Sequence, residues 1–272
     1  MLQWKCEHGL RPYSALHQER FAHRFNLDYF DVDYSIKFDD ANRGLTTDIC
    51  LDDVESRYLL AANADGSLLI FDTQDPSESG DGSVVFPVVA RMTTVHPSVL
   101  PARLQATGGL SPSRCLQWNP VDTGSFISVS FDKTLKIWDT NRCECVEAIE
   151  TPEAMLWASV SPCAVEHNLI AVALHQCQER QAVLIDPLLG AVSLSLRGGH
   201  SQPVMTQVAW SARNSFTIIT AGRVQVDKLR EDGRILFWDI RVPLKPIASL
   251  NNAYTDGSPA YSPSVSEFHK NP

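Results

Sequence analysis

Short stretches in which apolar and polar residues alternate recur along this chain, each one directly after a polar turn. The stretch "DGSLLIFD" ends at Asp72, "DKTLKIWD" at Asp139 and "DGRILFWD" at Asp239. In each, apolar residues stand three and five positions after the leading aspartate, which is the period-two pattern of a half-buried β-strand. A degraded copy, "ERQAVLID", ends at Asp186. The pattern therefore predicts a tight turn followed by a strand, repeated four times.

The residues upstream of these turns repeat as well. Trp118 precedes Asp132 by the same number of residues as Leu51 precedes Asp65. Two segments that begin with Ser-Phe, "SFISVSFD" and "SFTIITAG", read as sister strands. Units of three or four short strands, repeated at intervals of several tens of residues, indicate the blades of a β-propeller.

The units resemble WD repeats, a family in which a histidine, a strand hydroxyl, the turn aspartate and a tryptophan form a hydrogen-bonded set within a blade. The last unit matches the complete set, with Thr220 as the hydroxyl and Trp238 as the tryptophan. The second unit supplies Ser130 as its hydroxyl, and Gly108–Gly109 stands where its histidine is expected. The residues assigned to blade structure are Asp65, Asp132, Trp138, Asp139, His200 and Asp232. The resemblance implies an all-β fold, a WD-repeat β-propeller with about four blades.

The last unit contains extra residues. Trp210 stands farther before Asp232 than Trp118 stands before Asp132, and "RVQVDKLR", residues 223–230, accounts for the difference. Without it the chain would read "ITAGEDGRILFWD", a regular unit. Because lengthening a surface loop costs little free energy, we expect an enlarged, solvated loop between two strands, unless the segment marks an alternative transcript.

The chain divides into three predicted segments. Residues 1–43 form a helical N-terminal extension, residues 44–241 hold the WD-repeat blades, and residues 242–272, rich in Pro, Ser, Asn and Gly, form a disordered tail. Four blades lie at the lower limit for closed propellers. We therefore expect an incomplete ring and a C-terminally truncated member of a longer family. Closure into a small four-bladed ring is the competing interpretation.

The N-terminal extension carries a helical pattern. In residues 13–27 an apolar stripe that includes Leu16 and Phe21 is interleaved with polar residues that include Arg20 and Arg24. One interpretation is a helix packed across the edge of the propeller itself. The other is an extension that binds a partner.

Composition narrows the class of protein. The formal charge is −9 and no basic run occurs, so we expect no direct binding to nucleic acid. No apolar stretch is long enough to span a membrane. The seven cysteines, an odd number at irregular spacing, fit a reducing compartment. These features predict a cytosolic or nuclear protein.

Motifs for catalysis and metal binding are missing. The chain contains no Gly-rich phosphate loop, no H-E-x-x-H and no G-x-S-x-G. Cys143 and Cys145 form a C-x-C pair, which is closer than the usual spacing of zinc ligands. We therefore predict a protein that is not an enzyme and that holds no metal and no cofactor.

The last unit ends Trp238-Asp239-Ile240-Arg241, and no other unit has an arginine at this position. This W-D-x-R sequence resembles the box of WD-repeat substrate receptors of cullin-4 ubiquitin ligases, which docks the damaged-DNA-binding adaptor protein. An arginine held by a neighbouring carboxylate offers a planar set of donors to acidic or carbonyl groups. The resemblance implies these adaptor-binding residues: Leu16, Arg20, Phe21, Arg24, Trp238, Asp239 and Arg241.

A longer resemblance covers roughly residues 1–241. The stretches "ESRYLLAANADGSLLIFD" (55–72), "LQWNPVDTGSFISVSFDKTLKIWDTN" (116–141) and "HNLIAVAL" (167–174) are similar to blades of the Cockayne syndrome group A family. It implies a nuclear receptor, possessing no enzymatic activity of its own, that joins a cullin-4 ligase adaptor to repair and stalled-transcription proteins in transcription-coupled nucleotide excision repair. The alternatives are a generic WD-repeat scaffold that binds peptides or histone tails, and a non-functional truncated isoform.

Overall fold

The computed structural model describes residues 36–38, 45–78, 80, 82–93, 113–162, 166–175, 182–197, 205–211, 214–227 and 230–251. Within these ranges the regular structure consists of β-strands, as the alternating pattern predicts. The strands form four four-stranded sheets and one small three-stranded sheet. The predicted all-β propeller fold, built from repeated four-stranded units, is confirmed.

The first two large sheets follow the predicted repeats. The first sheet, in the order β2-β3-β4-β7, consists of Thr46–Leu51 (β2), Tyr58–Asn63 (β3), Ser67–Asp72 (β4) and Val88–Thr93 (β7). The second consists of Ser113–Trp118 (β8), Ser125–Ser130 (β9), Thr134–Asp139 (β10) and Glu144–Glu150 (β11). The third strand of each ends at the aspartate that closes the sequence repeat.

The third and fourth large sheets have the same arrangement. The third consists of Met155–Val160 (β12), Ile170–Leu174 (β13), Ala182–Asp186 (β14) and Ala191–Leu196 (β15). The fourth consists of Met205–Trp210 (β16), Thr217–Asp227 (β17), Arg230–Asp239 (β18) and Ala248–Asn251 (β19). Neighbouring strands within each sheet pair antiparallel.

The small sheet combines one strand that precedes the first large sheet in the chain with two strands that lie between its strands β4 and β7. It joins Ile36–Phe38 (β1), Val84–Phe86 (β6) and Ser77–Glu78 (β5), with β1 parallel to β6. The Phe38 ring packs 5.0 Å from the ring of Phe71 on β4. Residues 36–38 were expected in a helical extension, so that prediction is wrong for this part: they pair as a strand and cover the first sheet.

Neighbouring large sheets pack in chain order through their first strands, and these strands run in the same direction. Near the start of β2 and β8, Thr47 Oγ1 donates to the Ser113 carbonyl at 2.8 Å. Near their ends, Trp118 Nε1 donates to the Cys50 carbonyl at 3.0 Å. An equivalent bond of 2.9 Å joins Trp210 Nε1 to the carbonyl of residue 159, between the third and fourth sheets. Between the second and third sheets, the backbone nitrogen of Val160 at the end of β12 donates to Gln117 Oε1 near the end of β8 at 2.7 Å. Corresponding ends of all four sheets therefore lie on the same side.

Each junction between sheets holds an apolar core. The first junction contains Leu60, Leu68, Ile70, Trp118, Phe126 and Trp138. The second contains Cys115, Ile127, Leu135, Met155, Val172 and Val183. The third contains Ala173, Leu184, Leu196, Trp210, Leu236 and Trp238. Among the described residues, no contact of comparable extent joins the fourth sheet to the first.

One carboxylate is buried at the first junction. Asp48 Oδ2 on β2 accepts a 2.6 Å hydrogen bond from the backbone nitrogen of Leu116 on β8. Burial raises the pKa of Asp48 to about 6, although this hydrogen bond opposes the rise. Asp48 therefore changes between its neutral and its charged form near pH 6, inside a packed interface between two sheets.

Residues 223–227 and 230 of the inserted segment extend a hairpin, where a loop was expected. Strands β17 and β18 continue to pair through Arg223 opposite Gly233 and through Val224 opposite Asp232. The expected solvated loop is therefore wrong, because "RVQV" carries the residue types that favour strands and finds a partner strand opposite. Asp232 consequently lies within a strand and not in the turn where its repeat predicted it.

The predicted start of the disordered tail, residue 242, lies too early in the chain. Strand β19, Ala248–Asn251, pairs with β18 through Phe237 opposite Ala248 and Leu236 opposite Ser249, and it completes the fourth sheet. The boundary at residue 241 is wrong, since a third strand without a neighbour would leave a row of backbone groups unpaired. Residues 252–272 lie outside the described residues.

Candidate protein-binding site

A turn built on an aspartate ends the third strand of every large sheet. Its Oδ1 atom accepts the backbone N–H two residues later. The four bonds run from Gln74 to Asp72 at 2.9 Å, from Asn141 to Asp139 at 2.8 Å, from Leu188 to Asp186 at 2.9 Å and from Arg241 to Asp239 at 2.9 Å. The assignment of Asp139 as a structural residue agrees with this turn. Each turn holds the second residue after the aspartate at the end of its sheet.

Because the four sheets run in the same direction, these turns lie on one side of the molecule. The turns between first and second strands lie there too, since the carbonyl of Gly124 accepts from Thr140 and that of Phe216 accepts from Ile240. We call this side the strand-end face. It comprises residues 52–57, 72–75, 119–124, 139–143, 166–167, 186–190, 214–216 and 239–244.

Asp239 and Arg241 form a bidentate pair on the strand-end face. Arg241 Nε donates to Asp239 Oδ1 at 2.9 Å and Nη2 donates to Oδ2 at 2.6 Å. These hydrogen bonds lower the pKa of Asp239 to about 2. The Arg241 side chain remains 60% exposed, so the guanidinium is accessible to a partner.

A turn of the same sheet supports this arginine, and that turn is in contact with the third sheet. The Arg241 guanidinium carbon lies 4.6 Å from the centre of the Phe216 ring. Next to it, the carbonyl of Ser215 lies 2.5 Å from His167 Nε2, and the Ser215 hydroxyl is bonded to Glu166. The turns of the third and fourth sheets are therefore joined directly beneath Arg241.

Trp238 is a core residue and does not reach the surface. Its side chain is 1% exposed, and its Nε1 donates to Thr220 Oγ1 at 2.9 Å. It was predicted to contact the adaptor, and that role is wrong for direct contact because the ring is enclosed between the third and fourth sheets. Trp238 instead anchors the strand that ends in Asp239.

The second sheet has the same indole bond with a different hydroxyl from the one predicted. Trp138 Nε1 donates to Ser128 Oγ at 2.9 Å. The sequence pattern pointed to Ser130, which stands on the same face of strand β9 because side chains two residues apart share a face. In the register of β9 and β10, Trp138 lies opposite Phe126 and Lys136 lies opposite Ser128. Ser128 is therefore only two residues from the position opposite Trp138, whereas Ser130 is four residues from it.

Two predicted turn aspartates are in place. Asp65 Oδ1 accepts from the backbone nitrogen of Ser67 at 2.8 Å and from its hydroxyl at 2.6 Å. Asp132 Oδ1 makes the same pair of bonds with Thr134, at 3.0 and 2.7 Å. The backbone of Asp232 lies in a strand, as described above.

Several predicted residues cannot be placed. His200 and the N-terminal residues proposed for adaptor binding lie outside the described residues, namely Leu16, Arg20, Phe21 and Arg24. Their assignments stay predictions.

The first sheet contains a second arginine–aspartate pair, which the sequence did not reveal. Arg57 Nε lies 3.0 Å from both carboxylate oxygens of Asp72, and Nη2 donates to Oδ2 at 2.6 Å. This pairing holds the pKa of Asp72 below its usual range. Arg57 comes from the turn before β3, so only the strand register shows that it reaches the end of β4.

The second sheet presents a less constrained arginine. Arg142 Nε lies 3.9 Å from Asp139 Oδ2, and Nη1 lies 3.8 Å from a Glu144 carboxylate oxygen. Its side chain is 70% exposed. Arg142 thus offers a charge on the strand-end face without the bidentate geometry of Arg241, which makes it a useful control.

The described residues contain no group of three or more His, Cys, Asp or Glu side chains arranged to hold a metal ion. In the part of the chain that the structure describes, no helix is long and apolar enough to cross a membrane.

Four repeated four-stranded sheets, with a buried indole bonded to a strand hydroxyl in the second and the fourth, define the class of protein: the fold is that of a WD-repeat β-propeller. The WD domain, G-beta repeat, matches residues 106–139, which include strands β8 to β10. The WD40 domain of Toxoplasma gondii coronin has a similar fold, with a TM-score of 0.57 and 19% identity over 76% of this chain and 47% of that chain.

Among curated proteins, the chain is similar to the WD repeat-containing protein ATCSA-1 of Arabidopsis thaliana. The two are 34% identical over 236 residues, which is 85% of this chain and 48% of the relative. The ribosome biogenesis protein YTM1 of Phaeosphaeria nodorum is 25% identical over 228 residues, 75% of this chain and 45% of the relative. The chain thus spans about half the length of the curated relatives it matches.

Proposed function

We propose that this protein is a substrate receptor of the Cockayne syndrome group A type. It docks the damaged-DNA-binding adaptor of a cullin-4 RING ubiquitin ligase and acts in the nucleus, in transcription-coupled nucleotide excision repair. In this role the chain binds proteins and performs no chemistry itself. Repair and stalled-transcription proteins are the partners that it would bring to the ligase.

The observation that carries the proposal is the geometry of the W-D-x-R box. Trp238 is buried and anchors the strand, Asp239 accepts hydrogen bonds from the Arg241 guanidinium, and the guanidinium lies over the Phe216 ring. Fixing the side chain in advance reduces the conformational entropy lost when a partner binds. The similarity to ATCSA-1 agrees with the sequence resemblance to the Cockayne syndrome group A family.

The test measures binding of the full chain to the purified adaptor. We expect co-elution of the wild type in size-exclusion chromatography. Replacement of Arg241 by Ala should weaken the affinity by about 2 kcal/mol, since arginines are frequent hot spots. Arg142→Ala is the matched control, because Arg142 lies on the same face at similar exposure and should change the affinity little.

One further variant completes the test. A deletion of residues 1–27 asks whether the predicted N-terminal helix contributes to the same affinity. Binding of the adaptor with equal affinity by wild type and Arg241→Ala would contradict the role of the box.

The second candidate is a WD-repeat scaffold that binds peptides or histone tails. Similarity to a ribosome biogenesis protein, at lower identity, favours a more general role of this kind. It predicts that the wild type does not co-elute with the adaptor but captures other proteins independently of Arg241. A truncated, non-functional isoform would show neither form of binding.

A further inference from the structure

The third sheet presents a leucine at the position where the fourth sheet presents Arg241. Leu188 is the second residue after Asp186, as Arg241 is the second after Asp239. In each case the backbone N–H donates to Oδ1 of the preceding aspartate at a distance of 2.9 Å. The same turn therefore projects Leu188 from the rim of one sheet and Arg241 from the rim of the next.

Leu188 and the residue after it are more exposed than apolar side chains in a core. Leu188 is 85% exposed and Leu189 is 73% exposed. In the first and second sheets the residues equivalent to Leu188 are Gln74 and Asn141, which are polar. A single exposed leucine needs no explanation, whereas adjacent ones in a structured turn mark a contact surface.

The apolar surface continues onto the second sheet. Gly190 adopts a φ of +60°, and a Cβ there would lie 3.0 Å from Glu147 Oε1 on β11. The turn at residues 186–190 thus lies next to β11, at the point where β11 has a bulge in its pairing with β10. Val146, next to Glu147, is 61% exposed. Leu188 and Leu189 of the third sheet and Val146 of the second are thus exposed apolar residues on the two elements that meet at Gly190.

We infer that Leu188 and Leu189 are an apolar anchor for the same partner protein that binds Arg241. This inference rests on the proposed function and extends it to the third sheet. The third and fourth sheets are held together at this face by His167 and Ser215, so their rims keep a constant relative position. A partner with an acidic or carbonyl-rich rim for Arg241 and an apolar pocket beside it fits this surface.

The arrangement of charge also indicates the chemical character of the partner's surface. An apolar surface alone would accept many occupants, including a second copy of this chain. A fixed arginine at the equivalent position of the adjoining sheet favours a partner with acidic or carbonyl groups beside its apolar pocket, since groups of opposite character are placed opposite each other in specific interfaces.

The test uses the full chain and the purified adaptor in isothermal titration calorimetry. The double variant Leu188→Ser with Leu189→Ser should bind about tenfold more weakly than the wild type, as expected for loss of an interface anchor. Leu45→Ser is the matched control. Leu45 is 76% exposed but lies before β2, at the opposite end of the first sheet, and its replacement should leave the affinity unchanged.

Salt separates the two contributions. The loss caused by Arg241→Ala should shrink as ionic strength rises, because screening weakens exposed charges. The loss caused by the leucine variant should persist, because burial of apolar surface does not depend on charge. The melting temperature of the leucine variant should equal that of the wild type, since both side chains are exposed.

The outcomes are distinct. If Arg241→Ala weakens binding and the leucine variant does not, the apolar anchor is wrong and the proposed function stands. If the wild type itself does not bind the adaptor, the proposed function fails and the inference fails with it. If the leucine variant instead changes the sedimentation of the free chain, the leucines bind a second copy, and the inference is overturned.

Discussion

At the residue scale, the position of Arg241 results from three contacts with different causes. Its backbone is held by the turn at Asp239, its guanidinium is paired with the same carboxylate, and one face of the guanidinium lies over the Phe216 ring. A charged side chain on a surface is ordinarily mobile and contributes little in an ion pair. Here the turn at Asp239 and the Phe216 ring fix the Arg241 side chain. This contributes more to the affinity for a partner than to the stability of the fold.

The ion pair can be tested directly through the carboxylate. Asp239 has a pKa of about 2 because Arg241 donates to it. Replacement of Arg241 by Ala should raise this pKa toward the ordinary aspartate value of about 3.9. A carbon-13 NMR titration of the carboxyl group would measure it.

The sign of the linked effect on stability follows from the lowered pKa. The pairing adds stability above the unfolded pKa, and this is lost as pH falls toward the folded value. The control Arg142→Ala should leave the titration of Asp239 unchanged. An Asp239 pKa that stays near 2 without Arg241 would show that the turn, and not the guanidinium, sets it.

The buried Asp48 gives the opposite dependence on pH. Its pKa is raised to about 6, so the folded state holds a proton that the unfolded state releases at lower pH. The free energy of unfolding should therefore fall as pH rises from about 4 to about 6, and then level off. Asp48→Asn keeps an oxygen for the Leu116 N–H and should be more stable than wild type at pH 7, by about 2 kcal/mol.

Urea unfolding of the two proteins between pH 4 and 8 measures this difference. The curves should converge at low pH, where Asp48 is neutral in both states. Parallel curves across the whole range would contradict an Asp48 that titrates near pH 6.

At the element scale, the third strand of a sheet is positioned by an indole bonded to the second strand. Trp138 uses Ser128 and Trp238 uses Thr220, both at 2.9 Å. The indole ring fills the junction with the neighbouring sheet, while its N–H would be unpaired there without the hydroxyl. A buried donor without a partner costs more free energy than a hydrogen bond adds.

Replacement of Thr220 by Val should therefore destabilise the protein by about 1–3 kcal/mol. Chemical denaturation monitored by tryptophan fluorescence gives the value. A double-mutant cycle with Trp238→Phe isolates the bond, because phenylalanine has no N–H to leave unpaired. An equal cost of Thr220→Val in both backgrounds would mean that other contacts of the threonine are responsible.

The extended hairpin of β17 and β18 is a second feature at this scale. Residues 223–227 of β17 pair with residues 230–233 of β18 but lie beyond the positions that pair with β16, and residues 230–233 lie beyond those that pair with β19. Deletion of residues 223–230 should restore a short turn and change the free energy of unfolding by about 1 kcal/mol or less. Thermal melting by circular dichroism measures this, and loss of the cooperative transition would show that the fourth sheet needs the extension.

At the scale of the whole molecule, each large sheet has two apolar faces, and among the described residues a neighbouring large sheet covers only one face of the first. Asp48 and Cys50 on β2 point toward the second sheet. The alternating residues Ile49 and Leu51 point away from it and are 62% and 46% exposed. Strand β1 covers part of this face through Phe38.

The remaining exposed apolar area should bind a hydrophobic dye. We expect fluorescence of ANS with the native protein, and a decrease in the variant Ile49→Ser with Leu51→Ser. The melting temperature should not fall, because both side chains are already exposed. Val121→Ser, which changes a 53% exposed residue on the strand-end face, is the control. Equal dye binding by all three proteins would place the apolar site elsewhere.

The sequence by itself determined the features that depend on neighbours along the chain. Alternation of apolar residues over six positions and an aspartate that bonds the backbone two residues later are local, and they located β4, β10, β14 and the end of β18. The same local chemistry identified Asp65 and Asp132 as turn residues and the Asp239–Arg241 pair as a candidate site.

Only the tertiary structure decided which strands and side chains meet. Arg57 reaches Asp72, β19 completes the fourth sheet and Trp238 is enclosed. Each of these depends on the register between strands or on packing between sheets. A period-two pattern tells which side chains share a face of a strand, but the partner of that face is set by segments distant in the chain, whose pairing is cooperative.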